Sequence, residues 1–144
     1  MFCFFTGYVF AQDAAKTESA APQGDPNFIL ADKLLGQTVM MYQHYIKGMF
    51  DFNIAMDAPS RDTLIDQVDR NQRAGKVLEL NYFIEEALQD ADQKTLATSI
   101  KWEKRVQPNG AREAVISKGK AKVIFKQQGS SDWRLYQVNG ENPF

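Results

Sequence analysis

The hydrophobic period changes once along the chain, near Gly75, and that change constrains the fold more than any other feature. Before Gly75 the apolar residues recur at three- and four-residue spacing, save for a short run at Phe50 to Ile54; after it they alternate with polar ones. From Asn27 to Met49 the chain carries Phe28, Leu30, Leu34, Leu35, Val39, Met40, Met41, Tyr42, Tyr45 and Ile46. This spacing predicts a helix capped by Asp25 or Asn27, with Pro26 at an early position. Gly36 and Gly48 weaken it, so a break into two is expected. Phe50-Asp51-Phe52-Asn53-Ile54 alternates and reads as a short strand. A second helix opens at Pro59-Ser60-Arg61-Asp62, with Ser60 as N-cap and Asp62 in the first turn. Leu64, Ile65 and Val68 form its apolar stripe, and Gly75 is the natural stop.

Four strands follow. Lys76 to Gln89 places Leu78, Leu80, Tyr82 and Ile84 on one face, and a polar turn covers Asp90 to Gln93. Thr95 to Val106 alternates most clearly, with Leu96, Thr98, Ile100, Trp102 and Val106 against Ala97, Ser99, Lys101, Glu103 and Arg105. After a Pro108-Asn109-Gly110 turn, Glu113 to Gln127 sets Val115, Ala121, Val123 and Phe125 against Lys118, Lys120 and Lys122. A turn at Gly129 to Asp132 leads to a last strand, Trp133 to Val138. Helices followed by sequential antiparallel strands make an α+β fold, with the N-terminal helices packed on one face of a curved, mainly antiparallel sheet.

The chain has 144 residues, 44% of them hydrophobic, and 17 basic against 18 acidic side chains. That balance argues against a nucleic-acid binder. One cysteine and one histidine exclude a disulfide-stapled mini-fold and a Cys/His zinc site, so no metal and no cofactor is expected. Residues 1–11, MFCFFTGYVFA, are too few to span a bilayer, which needs about 20 apolar residues. They read as the later part of a signal peptide, with a small-residue cleavage context at Val9-Phe10-Ala11, although no basic residue precedes Lys16. Residues 12–26 are rich in Ala, Ser, Gln and Pro and read as a disordered linker. Residues 27–144 are expected to form a single α+β domain. A secreted or periplasmic location follows from this reading, and cleavage after Ala11 would leave no cysteine in an oxidising compartment.

The order of elements from Ser60 to Phe144 resembles the nuclear transport factor 2-like superfamily, the cone-shaped α+β fold also called SnoaL-like or cystatin-like. The resemblance rests on the hairpin around Asp90, the strand Ile100-Lys101-Trp102-Glu103-Lys104-Arg105 and the close Asp132-Trp133-Arg134-Leu135-Tyr136 through Gly140-Glu141-Asn142-Pro143-Phe144. Secreted bacterial members often have a similar tail. The N-terminal half departs from the pattern: family members usually carry a longer pair of helices before the first strand. The resemblance implies a cone interior able to take a small apolar ligand and, commonly, an isologous sheet-to-sheet homodimer. It implies no one reaction, since the superfamily holds isomerases, dehydratases, hydrolases, lipid carriers and non-catalytic modules.

Candidate chemistry is sparse. Were the chain an enzyme, Tyr42, His44, Tyr45 and Asp51 would supply it, a histidine base or a carboxylate working with phenol donors. A helical wheel sets 42 and 45 on one face and 44 about 100–200° away, so two core tyrosines and a surface histidine are the plainer reading. Pocket-lining candidates are Tyr42, Tyr45, Tyr82, Ile100, Trp102 and Trp133; core packing is the commoner fate of strand tryptophans. From Lys101 to Lys126 there are eight basic residues against two acidic ones. Lys101, Arg105, Lys118, Lys120 and Lys122, with Ile116, Ile124 and Tyr136, are the candidate partner face. The leading expectation is a non-catalytic binding or interaction domain using the cone or the open sheet face. The alternatives are a small-molecule enzyme in the same cone and a periplasmic lipid carrier.

Overall fold

A computed structural model describes residues 24–144. The expected leader, residues 1–11, and residues 12–23 of the expected linker lie outside the described residues. Helix α1 spans Pro26–Gln43. Asp25 caps it: its Oδ1 accepts from the Asn27 N–H at 2.8 Å, and Pro26 follows where no N–H is needed. Gly36 does not break the helix; Tyr82 Oη lies 3.5 Å from where its Cβ would stand and donates to Asp32 one turn earlier. The break falls at His44 to Ile46, after which α2 spans Lys47–Phe52.

This corrects the strand reading of Phe50 to Ile54. Phe50 and Phe52 alternate, but they do so on a helix turn. Phe50 is buried between Tyr42 and Phe144, whereas Phe52 points outward and lies under the Arg134 guanidinium, 4.0 Å from its ring centroid. Cation–π contact gives an exposed aromatic a partner that alternation alone does not reveal. Of the expected strand, only Ile54 pairs with the sheet, in a single parallel bridge to Leu135. Ala55 N–H donates to Leu135 O and Leu135 N–H to Asn53 O, each at 2.8 Å.

Helix α3 spans Arg61–Ala74 and buries Leu64 and Val68. Ser60 sits at the N-cap, where its carbonyl accepts from Leu64 N–H, but its hydroxyl caps nothing. Gly75 ends the helix and begins the sheet. A Cβ there would lie 2.5 Å from Gln107 O, so the close approach of two backbones requires glycine.

The sheet contains β1 (Gly75–Gln89), β2 (Thr95–Pro108), β3 (Val115–Gln127) and β4 (Trp133–Gly140), in that order and antiparallel throughout. Bulges at Val77/Glu79, Ile84/Glu86 and Ile124/Phe125 bend it. They also correct the face expected for β1. The first bulge turns Val77 and Leu80 inward together and leaves Leu78 half-buried, and the second brings Ala87 inward after Ile84. Val115 is likewise exposed rather than part of the core. The core lies between the helices and the concave face of the sheet. Leu34, Leu35 and Val39 of α1 and Val68 of α3 meet Leu80, Ile84, Leu96, Ile100, Val123, Phe125 and Leu135 there.

Candidate functional site

Alternation along β2 puts Ile100, Trp102 and Lys104 on the concave face and Lys101, Glu103 and Arg105 on the convex one. The two faces have different fates. On the concave side the tail after β4 folds back into the cone. The Phe144 ring is fully buried between Tyr42 and Phe50, with centroids at 5.4 and 5.9 Å in edge-on geometry. Its backbone is tied down along its length. Trp102 Nε1–H donates to Glu141 O at 2.7 Å, Lys104 Nζ to Pro143 O at 2.8 Å, and Asn71 Nδ2–H to Phe144 O at 2.7 Å. Lys120 N–H donates to Glu141 Oε1 at 2.8 Å, and Glu141 N–H returns a bond to Lys120 O. Gly119 permits this arrangement, since a Cβ there would meet the Trp102 ring at 2.7 Å and Glu141 at 2.8 Å.

Lys104 is the side-chain cation that reaches into these groups. Its Nζ lies 3.3 Å from Tyr42 Oη and stands 5.5 and 5.9 Å from the Tyr42 and Trp102 ring centroids. Burial holds its pKa below the ordinary lysine value. Burial also pushes the Tyr42 phenol up to about 12, with the Asn71 amide acting in the opposite direction. Lys104 is one of the eight basic residues from Lys101 to Lys126. What sets it apart in sequence is its parity with Ile100 and Trp102.

The four residues named for an enzyme, Tyr42, His44, Tyr45 and Asp51, stand in separate surroundings. Tyr42 faces the core, and His44 is exposed beyond the end of α1, where its N–H caps Met40 O. Tyr45 and Asp51 come near one another only through Lys47 and Asp69. Tyr45 Oη donates to Asp69 Oδ1; Lys47 Nζ reaches Asp69 Oδ2 at 2.9 Å and Asp51 Oδ2 at 3.1 Å. Arg73 stands 3.8 Å from Asp69. Each shift drives its group further into its neutral-pH form. Burial and then the Asp69 bond raise Tyr45 to about 12. The Asp69 and Asp51 bonds raise Lys47, and the bonds from Tyr45 and Lys47 lower Asp69. Tyr45, Lys47 and Asp69 are thereby held as a bonded cluster, none of the three being drawn toward a pKa near neutrality. It is a latch joining α2 to α3. Neither Lys47 nor Asp69 was singled out from the sequence, because the pairing is set by how two helices meet.

The remaining pocket candidates are spread over the fold. Ile100 and Trp102 are core residues. Tyr82 Oη donates to Asp32 Oδ1 at 2.8 Å on α1, and burial with that carboxylate raises its pKa. Trp133 packs on the core edge at the start of β4.

The convex face is open. Across it run the pairs Lys101 with Lys120, Glu103 with Lys118, Arg105 with Ile116, Ser99 with Lys122 and Ala97 with Ile124. On β1, Glu79 opposes Arg105 and Phe83 opposes Lys101. Lys101 pairs with Glu85 at 3.3 Å and Arg105 with Glu79 at 3.8 Å. Depressions of about 290 and 230 Å³ lie over Phe83, Lys101, Glu103 and Lys118, and over Glu79, Arg105 and Ile116. The partner-face candidates therefore share one surface, apart from Tyr136. Its ring takes the Lys126 ammonium at 4.8 Å and lines a separate depression with Ala58 and Leu64 at the β4 edge.

No helix among the described residues is long and apolar enough to cross a membrane. No protein family and no curated protein matches the chain by sequence. Solved structures do match it. A conserved protein from Planctomyces limnophilus aligns with a TM-score of 0.64 at 13% identity, over 78% of this chain and 96% of that one. A nuclear transport factor 2-like superfamily protein from Salmonella enterica serovar Typhimurium gives 0.61 at 5% identity, over 81% and 90%. A Catenulispora acidiphila protein in complex with S-DNPA gives 0.59 at 6% identity, over 79% and 91%. Three helices on the concave side of a curved four-stranded antiparallel sheet, shared with these structures, give the chain the nuclear transport factor 2-like fold.

Proposed function

We propose that this is a secreted or periplasmic, non-catalytic interaction module that works through the convex face of its sheet, and that its partner there is a second copy. One observation carries the reading: the cone interior is occupied by the chain's own Tyr42, Phe50, Trp102 and Phe144, while Phe83 and Ile116 stand exposed outside. Charge supports a second copy. Glu79 and Glu86 mark the β1 side of the convex face, and Lys118, Lys120 and Lys122 mark the β3 side. A two-fold axis parallel to β2 and between the two sheets lays β1 of one copy over β3 of the other, with Glu86 at the level of Lys122. The secreted location rests on the apolar run Met1–Ala11 and its small-residue end.

An enzyme or lipid carrier in the cone requires the tail to leave it, and the tail is held by the bonds from Trp102, Lys104 and Asn71. Native mass spectrometry of protein exported by its own host separates these readings. An empty dimer beginning at Gln12 is expected. A retained small molecule would contradict the filled cone, and an unprocessed leader would contradict the location.

A further inference from the structure

Met40, Met41 and His44 sit at the end of α1, and Met49 on α2 faces them across the corner at His44 to Ile46. Together with Ile46 they line one groove of about 220 Å³. The side chains are unusually open for their chemistry: Met40 is 57% exposed, Met49 54% and Ile46 59%. Met41 packs partly against the core and anchors the groove floor. Apart from the histidine the lining is apolar, and no carboxylate contributes to it.

We infer that this groove is a binding site for a soft monovalent metal ion, Cu(I) in kind, held by methionine thioethers and the His44 imidazole. Thioether and imidazole are the donors that such an ion accepts. A neutral donor set suits a single positive charge, whereas Ca(II), Mg(II) and most Zn(II) sites need carboxylate or thiolate. Methionine's three rotatable bonds let exposed sulfurs converge on an ion without moving the backbone. Met40 and His44 stand one helical turn apart, joined by the His44 N–H to Met40 O bond at 3.0 Å, so two donors start from neighbouring positions on one ledge. This corner lies on the helical side of the fold, and the site does not depend on the convex sheet face.

The test uses the full chain carrying Cys3→Ser, so that the thiol does not compete, and Ag(I) as a redox-inert probe. Methionine methyl resonances and native mass spectra follow the titration. One Ag(I) per chain is expected, with Met40, Met41 and Met49 methyls shifting and Met56 unmoved. The Met40→Leu/Met49→Leu variant keeps volume and apolarity, and it should weaken binding at least about tenfold. Cu(I) kept reduced with ascorbate should compete for the same site, and Zn(II) should not. Absence of stoichiometric binding, unchanged affinity in the double variant, or equal competition by Zn(II) would overturn the assignment.

Discussion

The two faces of β2 differ by one residue of register and by everything that follows from it. Ile100, Trp102 and Lys104 face a space the chain has filled for itself, with Phe144 against Tyr42 and Phe50 and the tail bonded at Glu141, Pro143 and Phe144. Lys101, Glu103 and Arg105 face outward, among lysines and exposed apolar side chains. In this chain the concave side is filled and the convex side sets Phe83 and Ile116 among charged side chains. The lesson is that the shape of a cone does not make a pocket; four residues of tail decide whether it is open.

The contrast is broken most severely from the inside. Phe144→Ala should cost about 3 kcal/mol or more, the range for emptying a buried aromatic site, measured by chemical denaturation. A loss below about 1 kcal/mol would mean that the tail does not close the cone. Gly119→Ala drives a Cβ toward the Trp102 ring and Glu141, and should cost about 1–3 kcal/mol by overpacking. Lys104→Met tests the buried charge through pH. The lysine pKa is lowered by folding, so the unfolded chain holds the proton more tightly. This group's contribution to stability therefore rises with pH between its folded value and the ordinary one of about 10.4. The variant should lose that rise, and an unchanged slope would place Lys104 in solvent.

Smaller effects come from the latch and the outer face. Folding lowers the Asp69 pKa through Tyr45 and Lys47, so its contribution is present above the ordinary carboxylate value and is lost as pH falls through the folded one. Asp69→Asn should flatten the acid limb of a stability–pH curve while leaving the convex face unaltered. Ile116, 56% exposed, should be the mildest site for folding: Ile116→Asp should change the stability of the monomer, measured at high dilution, by no more than about 0.5 kcal/mol.

Much of this was legible in sequence. The α1 cap at Asp25, the stop at Gly75 and the strand boundaries are local chemistry, set by one hydrogen bond, one close approach and alternation. The outward lysine ladder of β3 followed from the same alternation. What was not legible was set by tertiary contact. Phe50 and Phe52 looked like a strand because alternation cannot distinguish one buried and one cation-stacked phenylalanine on a helix from two residues on a sheet face. Leu78 was given the wrong face because a bulge moves register without a residue that announces it. Nothing local marks the partners of Lys104, because Tyr42 Oη and Pro143 O are 62 and 39 positions away in the chain. Tyr45 and Asp51 are linked only through Lys47 and Asp69, whose meeting is set by how two helices pack and not by any local pattern.

The central claim is that the convex face associates while the cone stays closed. Sedimentation equilibrium over a wide concentration range, on the parent chain and Ile116→Asp side by side, tests it most directly. The account predicts a dimer for the parent, weakened by salt, and a monomer for the variant, with the two melting temperatures converging only at concentrations low enough to dissociate the parent. A parent that stays monomeric at every concentration, or a dimer indifferent to Ile116→Asp, would contradict it.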